Sequence, residues 1–262
     1  INAMTDLDPN SDGERFVYAG KTINLKKVSA ATTGLSKQVM VNNDGWWSSG
    51  VYETEAEAPA NERIVYEGGT YSYKLRMESS IGTETKDIKL YDSLENFYAA
   101  DGNSPLDINA PRWQGEFVGV DTSKLEAKGC KPVVYYSTIE GLRLEDEIEP
   151  GQGHPVNMNL SNTSIWTKAS DYTGDLSAVK AVAIDASKKT DGSDFILDEK
   201  EVAVVEIMMH APSGDAAREY IAQKAHAYNN IHMLATTVDK NTGVKNSDSY
   251  VRKDYTKVGI EE

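Results

Sequence analysis

The clearest pattern along the chain is a strict alternation of apolar and polar residues from Thr70 to Glu78. This period of two is typical of a β-strand that buries one face and exposes the other. The glycine pair at 68–69 predicts a turn immediately before the strand. The inward positions are Tyr71, Tyr73, Leu75 and Met77.

Shorter runs of β-branched and aromatic residues predict strands along most of the remaining chain. Only Ser213–His226 has apolar residues at helical spacing, with Asp215 placed to cap its first turn. The pattern therefore predicts an all-β fold: one or two antiparallel, immunoglobulin-like β-sandwiches with one short helix near 213–226. The predicted strands cover 87–92, 113–120, 132–137, 179–184, 202–209 and 227–238, with strand-like residues also at 16–28 and 250–260.

Composition shifts suggest three parts. Residues 1–14 form an acidic, turn-rich lead-in, and we expect Ile1–Met4 to be a cloning remnant ahead of a piece of a longer protein. A leading β segment follows over 15–58. We expect the β-sandwich domain over 59–262, with a long insertion at about 99–178.

The length and the charge of the chain exclude several classes of function. The chain has 262 residues, 39% of them hydrophobic, which is enough for a sizeable core. Its net charge of −14 argues against nucleic-acid binding and against an anionic membrane surface. No apolar run reaches the ~20 residues of a membrane-spanning helix. The single cysteine, Cys130, excludes an internal disulfide.

A calcium site is one interpretation of the acidic lead-in. Oxygen-bearing residues alternate at Asp6, Asp8, Asn10 and Asp12, as a hard cation prefers. An EF-hand loop would need glycine at its sixth position and glutamate at its twelfth, whereas this chain has Ser11 and Val17. A solvated linker is the other interpretation, and we expect no further cofactor.

Catalytic motifs are missing from the sequence. It contains no Gly-x-Ser-x-Gly nucleophile elbow and no His-Glu-x-x-His metal motif. His226 and His232 lie on one face if 227–238 is a single strand extending back to His226. At that spacing they stand roughly 20 Å apart, too far to share one metal ion. We therefore expect no enzymatic activity.

The Trp46–Trp47 pair is the candidate ligand-binding feature. Adjacent residues of a strand point to opposite faces, so at most one of the two rings enters the core. The other ring is placed to stack on a sugar or a partner protein, unless a loop or second sheet covers it.

A covalent staple is a further hypothesis. An isopeptide bond between lysine and asparagine would replace the missing disulfides, and it needs both side chains buried with a carboxylate. Lys74 is a poor choice because its parity places it on the exposed face of its strand. The candidates are Lys26 or Lys27, Asn229 or Asn230, and Asp92.

Several segments together resemble repeat and stalk domains of Gram-positive, Clostridia-type cell-surface adhesins, which have pilin-like strand motifs. They are Gly69–Tyr73, Asp87–Leu94, Trp113–Phe117, Pro132–Thr138, Ala225–Asn230 and Asp254–Gly259. The resemblance implies an immunoglobulin-like sandwich outside the cell, attached to the surface through other parts of its parent protein, and no catalysis. The segment between Asp92 and Val202 is longer than in such repeats.

The function implied by this resemblance is that of an adhesin or a stalk module, working as a monomer. Its partners would be a host glycan, a matrix protein or neighbouring domains of the same chain. The alternatives are a carbohydrate-binding module that uses exposed tryptophan and tyrosine, and, less favoured, a fragment of a glycan-active enzyme.

Overall fold

The computed structural model describes residues 33–43, 45–48, 63–96, 110–144, 155–251 and 256–262. These residues form fourteen strands and two α-helices. The first seven strands are β1 (Thr33–Val41), β2 (Trp47–Ser48), β3 (Arg63–Tyr66), β4 (Thr70–Ser79), β5 (Thr83–Asp92), β6 (Glu116–Asp121) and β7 (Val133–Ser137). The others are β8 (Thr167–Lys168), β9 (Ala181–Asp185), β10 (Val202–His210), β11 (Ala227–Asn229), β12 (His232–Asp239), β13 (Lys245–Val251) and β14 (Thr256–Glu261). The helices are α1 (Ser123–Glu126) and α2 (Gly214–Gln223).

Two large sheets form the sandwich. One has five strands in the order β2-β1-β4-β10-β6, and the other has six in the order β13-β12-β5-β9-β7-β8. All strand pairs within them are antiparallel. A smaller sheet, β11-β14-β3, contains the parallel pair β14–β3. The all-β prediction and the helix near 213–226 are confirmed.

The core lies between the two large sheets because their strands alternate as the sequence predicts. In β4, every second residue from Tyr71 to Met77 is buried, and β10 contributes alternate residues from Ala203 to Met209. From the six-stranded sheet, Ile88, Leu90 and Ile184 belong to the same cluster. Burial of these side chains, at roughly 1.5–3 kcal/mol each, holds the sheets together.

The prediction of one continuous strand over 227–238 is wrong. β11 ends at Asn229 and pairs with β14 in the small sheet, whereas β12 begins at His232 and pairs with β5 in the six-stranded sheet. The chain therefore changes sheets at Asn230–Ile231. His226 and His232 consequently do not lie along one strand face.

Segments predicted as separate parts contribute to the same sheets. Within the leading segment 15–58, β1 pairs with β4 along its whole length. Within 99–178, β6 pairs with β10 and β7 pairs with β9. The strand-like residues 16–28 and the lead-in 1–14 lie outside the described residues. No helix among the described residues is long and apolar enough to span a membrane.

Candidate isopeptide site

A lysine occupies a core position in β1. Leu35, Lys37, Val39 and Val41 all point inward, and the Lys37 side chain is fully buried. The pairing of Lys37 with Leu75 of β4 fixes this register. Burying an ammonium group costs several kcal/mol unless a partner compensates it.

Asp92 provides that partner from the last position of β5. Its Oδ2 atom forms an ion pair with Lys37 Nζ, and neither side chain is exposed. Lys37 Nζ also donates a hydrogen bond to the backbone carbonyl of Asn230, at 2.7 Å. The Tyr73 ring covers the amine, with its centroid 4.6 Å from Nζ.

Burial shifts the amine toward its reactive form. Loss of solvent lowers the pKa of Lys37 from 10.5 to about 8, and the negative charges of Asp92 and Glu95 oppose that fall. At such a pKa about a tenth of the amine is neutral at pH 7, against less than one part in a thousand for an exposed lysine. Burial of Lys37 therefore raises the share of its neutral, nucleophilic form above that of an exposed lysine.

The carboxamide of Asn229 meets the same carboxyl oxygen. Its Nδ2 lies 3.5 Å from Asp92 Oδ2. Asn229 is fully buried, and within the described part of the chain its Oδ1 atom accepts no hydrogen bond. The backbone of Asn229 is held by β14, where Thr256 Oγ1 donates to its carbonyl at 3.2 Å. An amine, a carboxyl and a poorly satisfied carboxamide thus share one buried site.

A second buried carboxylate lies beside this site. Glu95 Oε1 accepts hydrogen bonds from the hydroxyls of Tyr71 at 2.5 Å and Tyr73 at 2.6 Å, and Oε2 accepts one from Gly115 N at 2.6 Å. Burial raises the pKa of Glu95, and the three donors oppose the rise. Both tyrosines have pKa values raised well above 10, chiefly by burial, so their hydroxyls stay protonated donors.

The structure brings three of the predicted staple residues together: Asp92, Asn229 and Asn230. The lysine beside them is Lys37, which the sequence reasoning missed; Lys26 and Lys27 lie outside the described residues. The available signal was the alternation over 35–41, in which a lysine stands where an apolar residue is expected.

The other predicted sites are placed as follows. Trp46 is half-buried beside Lys74, whose Nζ lies 4.1 Å from the centroid of the Trp46 ring, and Trp47 lies in β2. The candidate calcium ligands Asp6, Asp8, Asn10 and Asp12 lie outside the described residues. Within the described ranges no three His, Cys, Asp or Glu side chains are grouped to hold a metal ion.

Cys130 is not an activated thiol. Its side chain is buried, and burial raises its pKa to about 11. A thiol with such a pKa carries little thiolate at neutral pH, and the thiolate is the nucleophilic form.

Comparisons with known proteins find solved structures only at low similarity. No family model matches the chain. No curated protein matches it either. Solved structures that align with the chain include the major pilin subunit BcpA of Bacillus cereus, at 11% identity and TM-score 0.34, over 87% of this chain and 40% of that one. A putative membrane-anchored protein from Corynebacterium diphtheriae matches at 10% identity and TM-score 0.35, over 88% and 36%.

An enzyme also occurs among these structures. A family 123 glycoside hydrolase from Clostridium perfringens matches at 10% identity and TM-score 0.27, over 87% of this chain and 27% of that one. This chain thus spans well under half the length of each of the three. At these identities and scores the matches assign no function to this chain.

Proposed function

We propose that this chain is a non-catalytic structural module of a bacterial cell-surface protein, a stalk or spacer domain that staples itself with a Lys37–Asn229 isopeptide bond. The observation that carries the proposal is the buried meeting of Lys37, Asp92 and Asn229 around one carboxyl oxygen. Such a bond would stabilise a domain that has no disulfides by restricting its unfolded state, as a disulfide does in secreted domains.

The reaction is an amide exchange that Asp92 assists. Neutral Lys37 Nζ attacks Cγ of Asn229, the Nζ–Cγ bond forms, and the Cγ–Nδ2 bond breaks. Asp92 Oδ2 contacts both nitrogen atoms, so it accepts a proton from Lys37 and delivers one to the departing Nδ2. The products are a secondary amide and ammonia, with no oxidant or cofactor consumed.

Asn229 is the better acyl partner of the two adjacent asparagines. Its side-chain amide is the one that contacts Asp92, whereas Asn230 meets Lys37 through its backbone carbonyl. The NH2 group of Asn229 makes a long contact, 3.5 Å, with Asp92 Oδ2. Conversion to the cross-link removes one poorly hydrogen-bonded NH2 group from the interior.

Intact-mass spectrometry tests the bond directly. Release of ammonia should leave the folded chain about 17 Da below the mass of its sequence. A bond to Asp92 instead of Asn229 would release water and lower the mass by about 18 Da, which high-resolution spectra separate. Asn229→Ala should restore the full mass, and Asn230→Ala should keep the loss. A wild-type chain at full mass, in a well-folded sample, would refute the cross-link.

The same site predicts an unusual pH dependence in an uncrosslinked chain. Asn229→Ala keeps a free Lys37 amine whose folded pKa, about 8, lies below its unfolded value of 10.5. Between pH 8 and 10 the unfolded state then binds more protons, so the free energy of unfolding should rise with pH, by about 2 kcal/mol. Urea titrations at pH 8, 9 and 10 measure it. The cross-linked wild type has no amine to titrate and should lack this rise.

A spacer role also fits the surface and composition. The acidic charge keeps such a module soluble and separated from its neighbours. Binding of glycans or matrix proteins through Trp46 and Trp47 would make the module an adhesin. A glycan and matrix-protein array, run with wild type and with Trp46→Ala, distinguishes the two roles: binding that the variant loses identifies recognition, and no binding supports a spacer.

A further inference from the structure

Glu95 lies in the turn that immediately follows Asp92. The turn Ser93–Asn96 follows β5 directly and is closed by a hydrogen bond from Asn96 N to Ser93 O at 3.1 Å. Its two central residues, Leu94 at φ 44° and Glu95 at φ 70°, are both left-handed. Neither is glycine, so this backbone conformation is costly and must be enforced by its surroundings.

The turn fixes the orientation of the Asp92 carboxyl group. Leu94 N donates to Asp92 Oδ1 at 2.8 Å. With Oδ1 held by the backbone of the turn, Oδ2 is the oxygen presented to Lys37 and Asn229. The orientation of the Asp92 carboxyl group therefore depends on the left-handed conformation at Leu94.

Glu95 anchors that conformation to the rest of the sandwich. Its three hydrogen bonds reach β4, through Tyr71 and Tyr73, and the residue just before β6, through Gly115. Leu94 adds apolar packing, with its side chain 4% exposed. If the carboxylate were released, the two buried tyrosine hydroxyls and the partly buried Gly115 N–H would lose their acceptor, and the turn would lose its polar anchor.

We propose that Glu95 is a positioning residue for the cross-link: its anchored carboxylate holds the left-handed turn that aims Asp92 Oδ2 at Lys37 and Asn229. The inference rests on the proposed isopeptide bond and assigns Glu95 no contact with the reacting atoms. It separates the cluster into a reacting set and a supporting set. The reacting set is Lys37, Asp92 and Asn229; the supporting set is Glu95, Tyr71, Tyr73 and Gly115.

The rate of cross-linking tests this role. The full chain is produced as inclusion bodies and dissolved in denaturant, and a full mass of the starting material verifies that no cross-link has formed. It is then refolded by dilution, and the fraction that has lost 17 Da is followed over time between pH 6 and 9. Glu95→Gln should refold, as circular dichroism reports, yet cross-link at least tenfold more slowly at every pH. Glu199→Gln is the matched control. Glu199 also holds a turn next to β5, by accepting a hydrogen bond from Gly82 N at 2.8 Å, but this turn is exposed and precedes the strand instead of following it. It should react at the wild-type rate.

The dependence of the cross-linking rate on pH distinguishes a positioning role of Glu95 from a general loss of structure. The charged groups acting on Lys37 are Asp92 and Glu95, both of which raise its pKa, and the neutral Tyr73 ring covers it. Removing the Glu95 charge should therefore move the rate profile to lower pH. Tyr71→Phe keeps the Glu95 charge and removes one of the hydrogen bonds that hold its carboxylate. It should therefore slow the reaction without moving the rate profile. This variant also tests the role of Glu95 if Glu95→Gln does not fold.

Two results would overturn the inference in distinguishable ways. If Glu95→Gln and Tyr71→Phe both cross-link at the wild-type rate with an unmoved profile, Glu95 has no positioning role and the isopeptide proposal stands. If the refolded wild type never loses 17 Da, the isopeptide proposal fails and takes this role with it.

Discussion

Replacing Lys37 by methionine should cause the largest loss of stability of any single substitution in the sandwich. The cross-link would be lost, and with it the closure of a loop of about 190 residues, worth about 5 kcal/mol. Asp92 would also lose the N–H group of the Lys37 amide as a hydrogen-bond donor, and an unsatisfied buried acceptor costs about 1–3 kcal/mol more. The combined effect equals much of the 5–15 kcal/mol that stabilises an ordinary domain. Thermal denaturation of Lys37→Met should show a fall in Tm of about 20 °C or more.

A second variant separates the two contributions. Lys37→Met combined with Asp92→Leu also lacks the cross-link but leaves no carboxyl group unsatisfied at this position. It should regain the part of the stability that the unsatisfied acceptor cost. A Lys37→Met chain that melts within a few degrees of wild type would contradict both the burial of Lys37 with Asp92 and the Lys37–Asn229 cross-link.

Gly115→Ala should be the next most damaging change. A Cβ atom there would lie 2.2 Å from Tyr71 Oη and 2.7 Å from the backbone oxygen of His210. The backbone of β10 cannot yield easily, so Tyr71 must move away from Glu95, which adds a lost buried hydrogen bond to the overpacking. We expect a loss of about 3–5 kcal/mol in urea unfolding.

Gly34→Ala is the control for this substitution. It adds the same methyl group within β1, where the nearest atoms are 3.8 Å away. Its effect on the free energy of unfolding should stay within about 0.5 kcal/mol. Equal effects of the two alanines would show that the region around Glu95 is more loosely packed than the structure indicates.

Local patterns were sufficient to predict the strands that have one apolar, buried face and one polar face. β4 was predicted within one residue because its inward tyrosines and leucine alternate with charged residues that face solvent. The helix at Gly214–Gln223 was predicted because its apolar residues repeat at helical spacing. Both signals are carried by residues within a single element.

The change of sheet at Asn230–Ile231 could not be predicted in this way. Residues 227–238 contain the polar pair Asn229–Asn230, but a polar pair does not by itself show that the strands on either side of it belong to different sheets. The boundary is set by their partners, β14 and β5, which lie elsewhere in the sequence. That change of sheet is also what places Asn229 and Asn230 beside Asp92.

Lys37 was missed for a related reason. A lysine at an inward position opposes the hydrophobic pattern, and only a carboxylate 55 residues away makes its burial tolerable. No property of β1 alone identifies that partner. Asp92 and the two asparagines, which were named from the sequence, lie beside Lys37 in the structure, but the pairing itself depends on tertiary contacts.

The positions of the two cross-linked residues have a mechanical consequence. Lys37 lies on the first described strand, and Asn229 lies on the eleventh. A chain pulled from a point before Lys37 and a point after Asn229 would transmit the load through the new amide and bypass everything between them. About 190 residues, or roughly 650 Å of extended polypeptide, would stay out of the load path. In a pulling experiment the wild type should lack this extension, and Asn229→Ala should release it.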